Sequence, residues 1–188
     1  MAESPRLPWR LVALSTLLAL GAATGTYVVL ADDDDASPPP STVALTPEGD
    51  LPDPDEVTFT TYEGEAVGLA TLRGEPTVLN FFASYCTPCV KEMPALEEVH
   101  QELGDEVAFV GLAVVDRPED AQALVERTGV TYQTALDRDS EVMTALGGSV
   151  LPTTVLLDAD GEVVATHNGE LDADELRQLL ADELGITS

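Results

Sequence analysis

The chain has 188 residues, 35 of them acidic and 8 basic, for a formal net charge of −27 at pH 7. Lys91 is the only lysine. Nucleic-acid binding is excluded, because phosphate contacts need a basic surface that this composition cannot build. Two cysteines are too few for a disulfide scaffold, and their spacing makes them a redox pair or half of a metal site.

Residues 1–10 carry Arg6 and Arg10, and Leu11 to Leu30 contain no charge. Twenty such residues as a helix span about 30 Å, the thickness of a bilayer core. Arginine before the run and Asp32-Asp33-Asp34-Asp35 after it predict an N-terminus inside and the rest of the chain outside. The run therefore reads as a single-pass membrane anchor over 11–30, with a cleaved signal peptide ending near Gly21-Ala22-Ala23 as the rival. Both readings export the rest of the chain. Residues 31–56 read as a disordered linker, with four adjacent aspartates and Pro38-Pro39-Pro40 as a stiff spacer.

A folded domain is expected over 57–188. Val57 to Tyr62 and Ala66 to Leu72 predict a hairpin around Glu63-Gly64-Glu65. Thr77 to Ala83 is a continuous apolar run, the pattern of a buried central strand. Val90 to Leu103 follows as a helix, with Cys89, Met93, Leu96, His100 and Leu103 on one face and Pro94 inside it. Val107 to Val115 predicts a second buried strand, and Pro118 to Arg127 a helix ended by Gly129. Tyr132 to Leu136 predicts a short strand, and Ser140 to Leu146 a short helix. Thr153 to Leu157 and Glu162 to His167 predict a second hairpin. Asp172 caps the last helix, which runs to Leu184 with Leu176, Leu179 and Leu180 facing inward. Strands alternating with helices predict a three-layer α/β/α domain.

Cys86 and Cys89 stand two residues apart where the strand meets the helix. Free N–H groups and the dipole at a helix start favour a thiolate, the nucleophile of thiol–disulfide exchange. Cys86, at the start, is expected to be exposed and to attack; Cys89, one turn inside, to be buried and to resolve. Tyr85, Thr87 and Pro88 border the pair and are expected to meet substrate. Glu92, three residues past Cys89, falls on nearly the same helix face. A carboxyl buried there would have a raised pKa.

The stretch Leu79-Asn80-Phe81-Phe82-Ala83-Ser84-Tyr85-Cys86-Thr87-Pro88-Cys89, with Glu92-Met93-Pro94, Leu151-Pro152-Thr153-Thr154 and Asp158-Ala159-Asp160-Gly161, resembles the active site of thioredoxin-fold proteins. Within them it is similar to the membrane-anchored, extracytoplasmic TlpA/ResA/DsbE-like group. Two positions depart from that group, which usually has tryptophan where this chain has Tyr85 and often where it has Phe82. The resemblance implies a thioredoxin-like domain with an N-terminal β-hairpin extension. It implies that Glu92 is the acid/base for Cys89; thioredoxin's buried aspartate six residues before the first cysteine is here Asn80, which cannot titrate. It implies a cis peptide at Leu151-Pro152, with Leu151 offering its backbone to a bound peptide. It also implies protein disulfides as substrates, apocytochrome c before haem attachment as the favoured one, and a membrane electron-transfer protein as donor. No cofactor is called for. Two alternatives stay open: a disulfide-forming oxidant, and a copper-handling module with Cys86, Cys89 and His167 as ligands. A peroxidase is disfavoured, because no Thr-x-x-Cys precedes either cysteine.

Overall fold

The structure is a computed structural model that describes residues 56–187. The expected anchor over 11–30 lies outside the described residues, as does the linker over 31–56 except for Glu56. Among the described residues, no helix is long and apolar enough to cross a membrane.

Seven strands form one mixed sheet: β1 (Thr58–Thr60), β2 (Ala66–Gly68), β3 (Thr77–Phe82), β4 (Ala108–Val114), β5 (Gln133–Asp137), β6 (Thr153–Leu157) and β7 (Val163–Asn168). Their spatial order is β2-β1-β5-β4-β3-β6-β7. The central strands β3, β4 and β5 run parallel, and β6 lies antiparallel against β3. All six residues of β3 are buried, as a strand covered on both faces requires. Side-chain alternation divides them. Val78 and Phe82 join the core under helices α1 (Thr87–Leu103), α2 (Pro118–Thr128) and α4 (Ala173–Leu184). Leu79 and Phe81 face the opposite core, closed by Val142 and Met143 of the short helix α3 (Glu141–Ala145) and by Leu69. The expected three layers are present, the second outer layer being thin.

The first hairpin is shorter than expected. β2 ends at Gly68, and Leu69–Leu72 turns into a 3-10 helix that seats Leu69 in the core. Helix α1 starts at Thr87 rather than Val90, because Cys86 caps it and Pro88 fits a first turn whose N–H has no intrahelical partner. Pro94 sits inside this helix with its ring exposed. The last helix begins as expected: Asp172 accepts from Glu175 N while Glu175 reaches back to Asp172 N, a reciprocal capping box.

Gly111 lies at the middle of β4, across from Asn80. A Cβ there would stand 3.0 Å from Phe82, 3.1 Å from Thr134 and 3.2 Å from Tyr132. The missing side chain is the space that the Phe82 and Tyr132 rings occupy. Gly111→Ala should therefore cost about 1–3 kcal/mol by overpacking, read as a lower urea midpoint at unchanged slope.

Candidate active site

The site is at the end of the sheet where β3 and β4 finish and β6 begins. Because β3 and β4 are parallel and β6 is antiparallel to them, the loops after Phe82, after Val114 and before Thr153 all emerge at this end. Ligand sites of α/β sheets gather at the carboxyl ends of parallel strands for this reason.

Cys86 and Cys89 form a disulfide, with S–S 1.99 Å and Cα–Cα 5.3 Å. Cys86 is the N-cap of α1, and its sulfur accepts the Cys89 N–H at 3.2 Å. This donor is one of the free amides of the first turn, placed to stabilise a thiolate on Cys86 once the disulfide opens. Cys89 is fully buried. Cys86 is not exposed as expected: only 6% of it is accessible, because in the oxidised form it joins the apolar cluster that holds Cys89. The expected order of accessibility, Cys86 above Cys89, remains. Thr87 is exposed and Pro88 half-buried beside the pair.

Glu92 is buried to 1% exposure. Its Oε2 accepts from Asn80 Nδ2 at 3.0 Å, and its Oε1 from the Leu171 N–H at 3.1 Å. The carboxyl is thus shared by α1, β3 and the loop before α4. Thr154, directly across from Asn80 in β6, lies close enough to favour the carboxylate but has no full hydrogen bond among the described residues. Burial dominates and pushes the carboxyl up to about 7; the Leu171 and Asn80 donors pull the other way, and the charge of Glu170 adds to the rise. A carboxyl with that pKa is half ionised near neutrality, as proton exchange with a thiol requires.

Two loops are laced together beside the pair. The Asp116 carboxylate accepts from Ser84 N and, at 2.9 Å, from Ser84 Oγ. Tyr85, 65% exposed, donates its hydroxyl to Val114 O at 3.2 Å. On the other side, the Leu151-Pro152 peptide is cis, Pro152 is buried, and Leu151 is half-buried against the cluster that contains both cysteines. Cys86, Cys89, Glu92, Tyr85, Thr87, Pro88, Leu151 and Pro152 all belong to this end of the molecule or to the helix that starts there. His167 reaches the same end of the sheet but stands in the edge strand β7, opposite Thr154 and two strands from β3. Among the described residues, no three His, Cys, Asp or Glu side chains are grouped to hold a metal ion.

Sequence reasoning passed over Asn80 as a residue that cannot titrate. Its place is that of a donor holding Glu92. A polar side chain inside an otherwise apolar run signals a buried partner, and that signal was available. The Leu171 amide, 79 residues from Glu92, carried none. A second buried acid, Glu97, is structural: it accepts from Thr131 N and Thr131 Oγ1 at 2.8 and 2.6 Å and ties α1 to the start of β5.

The raised Glu92 pKa has a sign in stability. Neutral Glu92 is the form the fold prefers, so its contribution is fully present below about pH 4.5 and is lost as pH rises through about 7. The loss amounts to roughly 3 kcal/mol. Glu92→Gln should abolish that decline, since an amide does not titrate, and a flipped Asn80 receives the new amide on its Oδ1, which has no partner among the described residues. The variant should unfold at a higher temperature than wild type at pH 8, exchange disulfides more slowly, and lose the near-neutral inflection in its cysteine alkylation profile.

A redoxin family profile matches residues 47–181. The chain is 31% identical over 184 residues to the thiol-disulfide oxidoreductase ResA of Geobacillus thermodenitrificans, covering 96% of this chain and 97% of that one. Among solved structures, a DsbF homologue from Corynebacterium diphtheriae aligns with TM-score 0.62 and 30% identity, covering 77% of this chain and 96% of that one. A secreted Mycobacterium tuberculosis disulfide oxidoreductase homologous to E. coli DsbE aligns with TM-score 0.60 and 28% identity, covering 67% and 95%. With a Cys-x-x-Cys disulfide at the mouth of a thioredoxin-like sheet, the chain belongs to the redoxin family and is a thiol–disulfide oxidoreductase.

Proposed function

We propose that this oxidoreductase is a membrane-tethered reductant of protein disulfides on the outer side of the cell membrane, with apocytochrome c before haem attachment as the favoured substrate. The observation that carries the reading is the buried Glu92 carboxyl on the helix face of Cys89, held by Asn80 and the Leu171 amide. In the reduced protein the Cys86 thiolate attacks one sulfur of the substrate disulfide. That S–S bond breaks, a mixed disulfide forms, and the second substrate sulfur leaves as a thiolate that takes up a proton. Cys89 then passes its proton to Glu92 and attacks the Cys86 sulfur. The Cys86–Cys89 disulfide closes and the first substrate sulfur departs as a thiolate, which takes up the proton held by Glu92 or one from water. Two electrons have moved to the substrate, and a membrane electron donor must return them.

Electrostatics supports the reducing direction. The pair is served by one cap N–H, while Glu92 stands three residues past Cys89 on the helix and Asp116 is bonded to Ser84, two residues before Cys86. The chain's acidic excess, and a Glu92 carboxyl that ionises near neutrality, disfavour thiolates and so favour the closed disulfide, which gives a low reduction potential. The secreted disulfide oxidoreductase among the similar structures and the resemblance to the extracytoplasmic group support the compartment, and the ResA relative supports thiol–disulfide exchange. The uncharged run over 11–30 supports the tether.

Equilibration with glutathione and dithiothreitol buffers should place the potential nearer thioredoxin's, about −270 mV, than that of strong oxidants, about −120 mV. A value near the latter would make the protein a disulfide donor. Full-length Cys89→Ser should accumulate mixed disulfides with protein partners through Cys86, and the adducts should stay in carbonate-washed membranes. Adducts on a soluble form starting near Thr24 would show a cleaved signal instead, and trapping only by Cys86→Ser would reverse the two roles.

A further inference from the structure

Three large apolar side chains are exposed among the described residues: Tyr85 at 65%, Val115 at 56% and Val150 at 52%. All three are at one end of three adjacent strands. Tyr85 follows β3 and precedes Cys86, Val115 follows β4, and Val150 precedes the Leu151-Pro152 turn into β6.

Val115 is the unusual one. Its φ is 48°, a left-handed conformation that a β-branched residue adopts only under strain. Glycine or asparagine would sit there more easily. The backbone is pinned on both sides: Val115 N donates to Asp137 O at 2.9 Å, Val114 O accepts from Tyr85, and Asp116 is clamped to Ser84. The conformation is therefore imposed by neighbours that also position the loop before Cys86. The side chain does not repay the strain by filling a core, since more than half of it faces solvent. Strain retained at an exposed residue beside a reactive centre points to a role in binding.

We propose that Val115 is a specificity-determining contact for the polypeptide flanking a substrate disulfide, and that it selects an apolar side chain next to the substrate cysteine. The proposal rests on the reading of the chain as an oxidoreductase acting on proteins. Tyr85, Val115 and Val150 offer the substrate apolar footholds on successive loops around the disulfide. The surface is otherwise strongly acidic, with 35 acidic against 8 basic residues in the whole chain, so an acidic segment is repelled.

The probes are two ten-residue peptides with neutral flanks, each closed by one internal disulfide and differing only in Leu or Ser beside the first cysteine. The full-length reduced protein, Val115→Asn and Val115→Gly are compared by kcat/KM and by thermal unfolding. Wild type should favour the Leu peptide by about fivefold, and both variants should reduce that preference below about twofold, through KM rather than kcat. Both variants should unfold at the same or a higher temperature than wild type, because the strain is relieved. An unchanged Leu:Ser preference overturns the proposal. So does a lowered unfolding temperature in both variants, which would make Val115 a packing residue. If the reduced protein reduces neither peptide, the reducing direction has failed; the same peptides as dithiols are then offered to the oxidised protein, and the Leu:Ser preference there decides on Val115 alone.

Discussion

A carboxyl group with 1% exposure must be neutral or be met by donors, and Glu92 is met by two. Asn80 comes from the middle of the central strand and Leu171 from the loop that leads into the last helix. Their hydrogen bonds fasten α1 to the sheet and to the far end of the chain. Burial outweighs them, and the carboxyl stays poised near neutrality. In the proposed mechanism the chemistry of Cys89 depends on this balance. More donors would leave a carboxylate too weakly basic to take a thiol proton, and fewer would leave a permanently neutral acid.

The fold builds the rest of the site by placing three loops at one end of one sheet. Parallel β3 and β4 deliver the cysteine loop and the Val114–Asp116 turn, and antiparallel β6 delivers the cis proline turn. Side-chain to backbone bonds between Ser84, Tyr85, Val114 and Asp116 make the first two loops a single unit. The unit holds Cys86 at a helix start, where its sulfur takes an amide hydrogen bond, while Cys89 lies buried one turn on and, in the proposed mechanism, relies on a base. The proposed division of labour between attacking and resolving sulfur rests on where α1 begins.

Much of this was legible in the residues. The apolar run of β3, the Cys-x-x-Cys junction, the 3.6-residue spacing of α1 and the turn glycines give the element order almost unaided. The departures have specific causes. Ala66 to Leu72 reads as one strand because its apolar content hides the 3-10 turn that carries Leu69 into the core. Cys86 reads as exposed because a helix start usually is, but the closed disulfide draws it into the cluster around Cys89. Asn80 reads as the loss of an acid, whereas in three dimensions it holds one. Glu97 carries no mark of its structural role in the sequence, because its partner Thr131 is 34 residues away. Val115 reads as the last residue of a strand, since a positive φ is set by the hydrogen bonds around it and leaves no mark in a Val-Val-Asp sequence.

In the proposed mechanism one buried carboxyl, Glu92, holds and releases the proton of the resolving cysteine. Carbon-13 NMR of the Glu92 side-chain carboxyl, followed against pH in the oxidised protein, tests it most directly. The account predicts a midpoint near 7, moving up on reduction as the Cys89 thiol begins to titrate with it. A midpoint near 4.5 in both redox states would show an ordinary glutamate and contradict the account.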